Sequence, residues 1–189
     1  MFCGSTLVRQ GHVAEGLAQL KHGLAAYRAT GAGIFVTYFL ALVAEAYGAN
    51  GQVQAGLQTI PEALERVEQT GERVWEAELH RLRGELVLQS GVQSLRSRDL
   101  RPQSATPNAH VAVEAEACFH QAIAIARQQQ AKSLELRAAL SLARLWQQHG
   151  KSAEAGALLA PIYGWFTEGF DTADLQEAKA LLEELGRYN

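Results

Sequence analysis

Cysteine, proline and methionine are scarce: the 189 residues hold two cysteines, four prolines and one methionine. Cys3 and Cys118 lie far apart in a chain too large to need staples, which excludes a disulfide framework and suits a reducing, cytoplasmic setting. Surplus charge is missing too. Seventeen Lys and Arg against twenty Asp and Glu leave a net charge of −3, without the basic face of a nucleic-acid binder. The most apolar stretch, 32–44, stops at thirteen residues where a membrane span needs about 20, so it is expected to be a buried helix. Residues 1–20 carry Arg9, His12 and Glu15 and have no continuous apolar run of signal-peptide type. What is present, 48% hydrophobic and 20% charged residues, is ordinary globular usage, in an amount that makes one domain or two small ones.

A repeat organises the chain. Gly11, Gly51 and Gly91 are 40 residues apart, and Gly150 follows after 59, which is 40 plus an insertion of 19. Four residues before each glycine stand Leu7, Tyr47, Val87 and Trp146; after it come the small column Gly16, Gly56, Ala115 and Ala155 and the large column Leu20, Ile60, Phe119 and Leu159. Between these landmarks the apolar residues keep a helical period, as in Phe39, Leu42, Val43, Ala46 and Tyr47. Each unit is therefore two helices divided by a glycine at a helix end, with small residues that let helices approach and large ones that fill the next turn. Helices are expected near 2–10, 12–29, 33–49, 52–69, 72–90, 110–130, 132–148, 151–166 and 172–186. The fold class is all-α: one domain of antiparallel helix pairs stacked as a solenoid, with units 1–31, 32–71, 72–131 (insertion 91–109) and 132–170. A capping helix over 171–187 closes it, its stripe being Leu175, Ala178, Leu181, Leu182 and Leu185.

These columns resemble the tetratricopeptide repeat: Ala44, Gly84 and Ala143 on the first helices, Tyr47, Val87 and Trp146 three residues later, then Gly, then small and large positions on the second helices. His80 and Arg83 break the pattern, and 40 residues against the usual 34 implies longer helices. The resemblance implies an inner surface lined by first helices, at Tyr38, Ala41 and Glu45, then Glu78, Arg81 and Glu85, then Arg137, Leu140, Arg144 and Gln148. Glu45 and Glu85 stand where repeat proteins that clamp a chaperone's terminal carboxylate carry Asn, so no such clamp is expected. Arg137 and Arg144 either hold an acidic segment of a partner or form an ordinary solvated face.

Chemistry is sparse. No phosphate loop GxxxxGK[ST] occurs, and Gly31-Ala32-Gly33 is a lone GxG in a turn. Glu116 and His120 are four apart without HExxH, and Cys118 and His120 point in different directions on one helix, so neither a metal centre nor an activated thiolate is expected. Glu62, Glu65, Glu68, Glu72, Glu76 and Glu78, with Arg66 and Arg73, read as solvated helix faces. Trp146 belongs to the packing column; Trp75 and Trp165 are open. Residues 91–109, rich in Ser and Pro with Arg96, Arg98 and Arg101, read as a loop, either a basic contact or a tolerated insertion.

The runs Glu114–Ala122, Gln130–Arg137, Leu145–Gln148 and Tyr163–Thr172 resemble the carboxyl-terminal tail of large bacterial signalling proteins, in which a nucleotide cyclase domain and an AAA-type NTPase module precede tetratricopeptide-like repeats. That resemblance implies a cytoplasmic bacterial regulatory tail, with a protein or peptide or a fused or neighbouring cyclase or NTPase module as partner, and carries over no catalytic residue of either module; no cofactor is expected. The first helix is about half the length of its counterpart near Gly33, so the chain is expected to be the tail of something longer; a short native first helix is the alternative. The expected function is a non-enzymatic interaction or scaffold module. A small-effector sensor and a self-associating homodimer are its rivals.

Overall fold

The structure, a computed structural model, describes residues 2–97 and 109–186. Among them are nine helices and no strand: α1 (Phe2–Arg9), α2 (Val13–Ala29), α3 (Val36–Ala49), α4 (Val53–Thr70), α5 (Glu76–Ser97), α6 (Ala109–Gln128), α7 (Lys132–Gln148), α8 (Ser152–Tyr163) and α9 (Ala173–Gly186). Consecutive helices pack on one another, and the first helices α3, α5 and α7 also touch directly. Helix pairs stack into a solenoid, as the periodicity requires, and α9 lies across α7 and α8. Leu175, Ala178, Leu181 and Leu185 of α9 are buried there while Glu183 and Glu184 face out. No helix among the described residues is long and apolar enough to cross a membrane.

The repeat columns explain how the helices fit. Ala44 and Ala143 of the first helices and Ala115 and Ala155 of the second are wholly buried, beside Leu20, Ile60, Phe119 and Leu159. Where the column holds glycine, a methyl group has no room: a Cβ on Gly16 would lie 2.6 Å from the Gly4 carbonyl, and one on Gly84 2.5 Å from the Phe119 ring. The turns share one device. After α1, α3 and α7 the chain turns left-handed at Gly11, Gly51 and Gly150, and the next amide (His12, Gln52, Lys151) donates back five residues, to Leu7, Tyr47 and Trp146. After α6 the same turn is made by Gln130 at φ 56°, with Ala131 N–H donating to the Ala126 carbonyl.

Gly91 departs from this scheme. It does not end a helix: α5 continues through it to Ser97, and a Cβ at 91 would meet Val111 of α6 at 2.8 Å. The loop expected over 91–109 is thus helical at 91–97 and again at 109, because this glycine serves close helix approach rather than a turn; residues 98–108, with Arg98 and Arg101, lie outside the described residues. Helices α3 and α5 also begin later than expected, at Val36 and Glu76, because Ile34–Phe35 and Val74–Trp75 form turns ahead of them, Phe35 at φ 65°.

Candidate functional site

The first helices bring most of the expected inner-surface residues together. Tyr38, Ala41, Glu45, Glu78 and Arg137 line one cleft of about 160 Å3 with Arg9, Leu42, Trp75 and Leu82. Glu45, Arg81 and Glu85 line a second, of about 220 Å3, with Gly48, Leu86 and Gln89. The two share Glu45 and Leu82, so they adjoin one another along α3 and α5. Gln148 is exposed near the end of α7 and lines neither cleft, and Leu140 is buried in the core.

The floor of the groove is a polar network. Glu78, buried on α5, accepts two bonds from the Arg81 guanidinium, at 2.7 and 2.9 Å, and stands 3.0 Å from Arg137 of α7. Arg81 reaches Glu85 at 3.6 Å, and the Ser141 hydroxyl donates to Glu85 at 2.6 Å. Arg137 extends to Asp174 of α9 at 4.0 Å, and Arg144 pairs with Glu177 of the same helix. Burial alone would lower the Arg81 pKa, but the carboxylates of Glu78, Glu85 and Glu45 outweigh it and hold the guanidinium charged, above its ordinary range. Glu78 therefore does not belong to a solvated face as its neighbours in sequence suggested. It is the anion on which two arginines converge. Arg137 and Arg144 are both paired within the chain, Arg137 partly buried and Arg144 on an exposed surface.

Trp75 is the lining residue that sequence reasoning left open. Its ring lies 4.4 Å from that of Tyr38, tilted by 32°, and walls the first cleft. A signal was available: Phe35, Trp75 and Leu134 are spaced by 40 and 59, the repeat intervals themselves. Glu72, another presumed surface carboxylate, accepts the Phe35 N–H at 3.0 Å and the Thr37 hydroxyl at 3.3 Å, bracing one turn against the next.

The remaining chemical groups are accounted for by packing. Trp146 Nε1 donates to Glu116 at 2.8 Å, and the His120 ring leans on Trp146 at 5.8 Å. Burial pushes the Cys118 thiol up from its ordinary value, with Arg83 opposing and Glu114 adding, which keeps it a thiol at neutral pH. Among the described residues no group of three or more His, Cys, Asp or Glu side chains is placed to hold a metal ion. Trp165 is exposed, with the Lys132 ammonium over its ring at 5.8 Å.

Two buried titratable groups contribute to the pH response. His80 is buried with Nδ1 unpartnered, and burial lowers its pKa, Glu76 opposing and Arg83 adding. The unfolded chain takes up a proton on this imidazole near pH 6.5 while the folded chain resists it, so the unfolded state binds more protons and stability falls as the pH drops below about 6.5. Glu135 responds lower on the scale. Burial would raise its pKa, but hydrogen bonds from Arg127 and Lys132, each at 2.7 Å, bring it below the ordinary value, so its contribution is lost only in more acid solution. Melting temperatures measured from pH 8 to 5 should decline below about 6.5, and in His80→Leu that decline should flatten.

No family model matches the chain. An uncharacterized protein of Rhizobium meliloti (strain 1021) is 32% identical over 91 residues, which are 48% of this chain and 9% of that protein, so the match spans about a tenth of its length. Among solved structures, a kinesin light chain-like protein of Podosopora anserina with nearly identical TPR-like repeats superposes with a TM-score of 0.60 at 18% identity, covering 98% of this chain and 82% of that one. A point variant of that protein gives 0.58 at 18% identity, covering 98% and 90%. The fold is a tetratricopeptide-like helical-repeat solenoid.

Proposed function

We propose that this chain is a non-enzymatic interaction segment, the cytoplasmic regulatory tail of a larger bacterial signalling protein, whose inner groove receives a segment of a protein partner or of a fused cyclase or NTPase module. The observation that carries the reading is the pair of adjoining clefts along α3 and α5, walled by Tyr38, Trp75 and Glu45 over a floor of internally paired charges. A floor whose charges are already matched binds by shape and by its rim rather than by capturing a small ion, which favours a polypeptide occupant. Helix-pair solenoids expose such surfaces as their principal means of association. The short match within the far longer Rhizobium meliloti protein supports a place in a larger chain. The four units bounded near residues 31, 71, 131 and 170, with α9, act in this reading as one domain.

Photo-crosslinking in the full-length protein tests it. Benzoylphenylalanine at Glu45, exposed on the inner face, is expected to give discrete adducts on irradiation in the cell, while the same label at Gln58, exposed on second helix α4, gives none of them. No adduct from position 45, or the same adducts from both positions, overturns the proposal.

A further inference from the structure

We propose a second binding site on the edge of the solenoid, between the α4–α5 and α6–α7 turns, which takes a neutral, extended peptide segment of a partner protein through one large apolar side chain. The inference rests on the interaction reading above and adds a place and a chemistry to it. A cleft of about 720 Å3 opens there, lined by Val74, Trp75 and Leu134 and edged by Ser133, Arg137 and Asp174. This volume lies within the ordinary range of ligand sites, about 300–1,000 Å3. Val74 is 63% exposed, left uncovered by the described residues although it is a β-branched apolar side chain.

The walls of the cleft are braced by contacts within the chain. Gln129 Nε2 donates to the Arg73 carbonyl at 2.7 Å, tying the α6 end to the α4–α5 turn, and Tyr38 supports the Trp75 ring from the groove side. One unit back, Glu72 fixes the Phe35 turn to the same edge. Apolar groups presented on a braced backbone lose little freedom when they are covered, which is the condition for binding a flexible partner.

The rim selects the occupant. Each cation of the lining is already paired within the chain, Arg137 with Glu78 at 3.0 Å and Asp174 at 4.0 Å and Arg73 with Glu68 and Glu76 at 3.0 Å, while guanidinium N–H, carboxylate oxygen and the Ser133 hydroxyl offer donors and acceptors side by side. A free carboxylate or amine must be desolvated and must compete with ion pairs the chain has already made, whereas a main-chain amide satisfies donor and acceptor neighbours without charge. Trp75 and Arg137 wall this cleft and the inner groove alike, so a chain anchored at the edge runs on into the groove.

Three small probes on the full chain test this: N-acetyl-phenylalaninamide, anionic N-acetyl-phenylalanine and cationic phenethylamine, followed by the indole N–H signals of Trp75, Trp146 and Trp165. The amide is expected to shift Trp75 saturably with Kd on the order of 1 mM, the two charged probes at least about tenfold more weakly. Val74→Asp, at an exposed position, should abolish the shift, and Trp165→Ala should leave it unchanged. No saturable shift of Trp75, equal binding of the charged probes, or indifference to V74D overturns the proposal. If the probe fails while crosslinking from Glu45 persists, the edge site falls and the interaction reading stands; if the probe binds while crosslinking fails, the reverse holds.

Discussion

Truncating Phe119 to alanine will cost about 3–5 kcal/mol and lower the melting temperature by on the order of 10 °C. The ring is wholly buried and belongs to the core that runs from Val87 to Leu185. It also occupies the space that a side chain at Gly84 would need, 2.5 Å from a Cβ there, so the two positions act as one fit. Gly84→Ala alone should cost about 1–3 kcal/mol by overpacking against a ring that has nowhere to move. Combined with Phe119→Leu, which withdraws the offending ring edge, it should cost clearly less than the sum of the two single changes. Urea denaturation of the four proteins measures that coupling; strict additivity would mean that the ring and the glycine do not share space. The loss should also be local. A second core extends from Leu17 to Leu86, and Leu57 packs against both. Stability in a stacked array is a sum over neighbours, so hydrogen exchange in Phe119→Ala should accelerate in α6–α8 before it does in α2 and α3.

That contact shows which parts of the fold are legible from sequence. Small and large residues at fixed spacing record how near two helices lie, because a Cβ sets the distance of approach; Gly16, Gly84, Ala115 and Phe119 therefore announced the solenoid. The recurring glycine of the turns misled at Gly91. A glycine admits either a left-handed turn or a close neighbour, and residue type alone does not say which; Val111 of α6, twenty residues on, decides it. The groove was partly legible. Tyr38, Glu78 and Arg137 hold one register position in successive units, and so do Glu45, Glu85 and Arg144, which is why the structure collects most of them on one surface. Which charge meets which was not legible. Glu78 finds Arg137 straight across the register, yet Arg144 turns away from Glu85 to Glu177 of α9, and Glu85 takes Ser141 instead. Such choices depend on side-chain reach and on an added helix whose own register is outside the repeat. Trp75 was left open because it fell inside the helix expected over 72–90, whereas it stands in the turn ahead of α5, where the 40-residue interval to Phe35 rather than helical periodicity marks it.

Replacing Glu78 by leucine is the corresponding experiment on the polar side, with an expected cost of about 3 kcal/mol. The loss follows from what is stranded. Arg81, 11% exposed, keeps only Glu85 at 3.6 Å and the more distant field of Glu45, whereas Arg137, 29% exposed, can still turn to Asp174 and water. An isolated buried cation is far costlier than an absent pair, since its desolvation is no longer offset. Glu78→Leu with Arg81→Met, which removes both members and refills their volume with apolar atoms, should therefore recover most of the stability lost by Glu78→Leu alone. Thermal melts of the two variants decide the matter: a single substitution costing under about 1 kcal/mol, or a double no better than the single, would show that the groove floor is not held by this network. Recovery in the double variant would also separate two roles, because a scaffold restored in stability but altered in floor charge reports whether the partner reads those charges or only the shape above them.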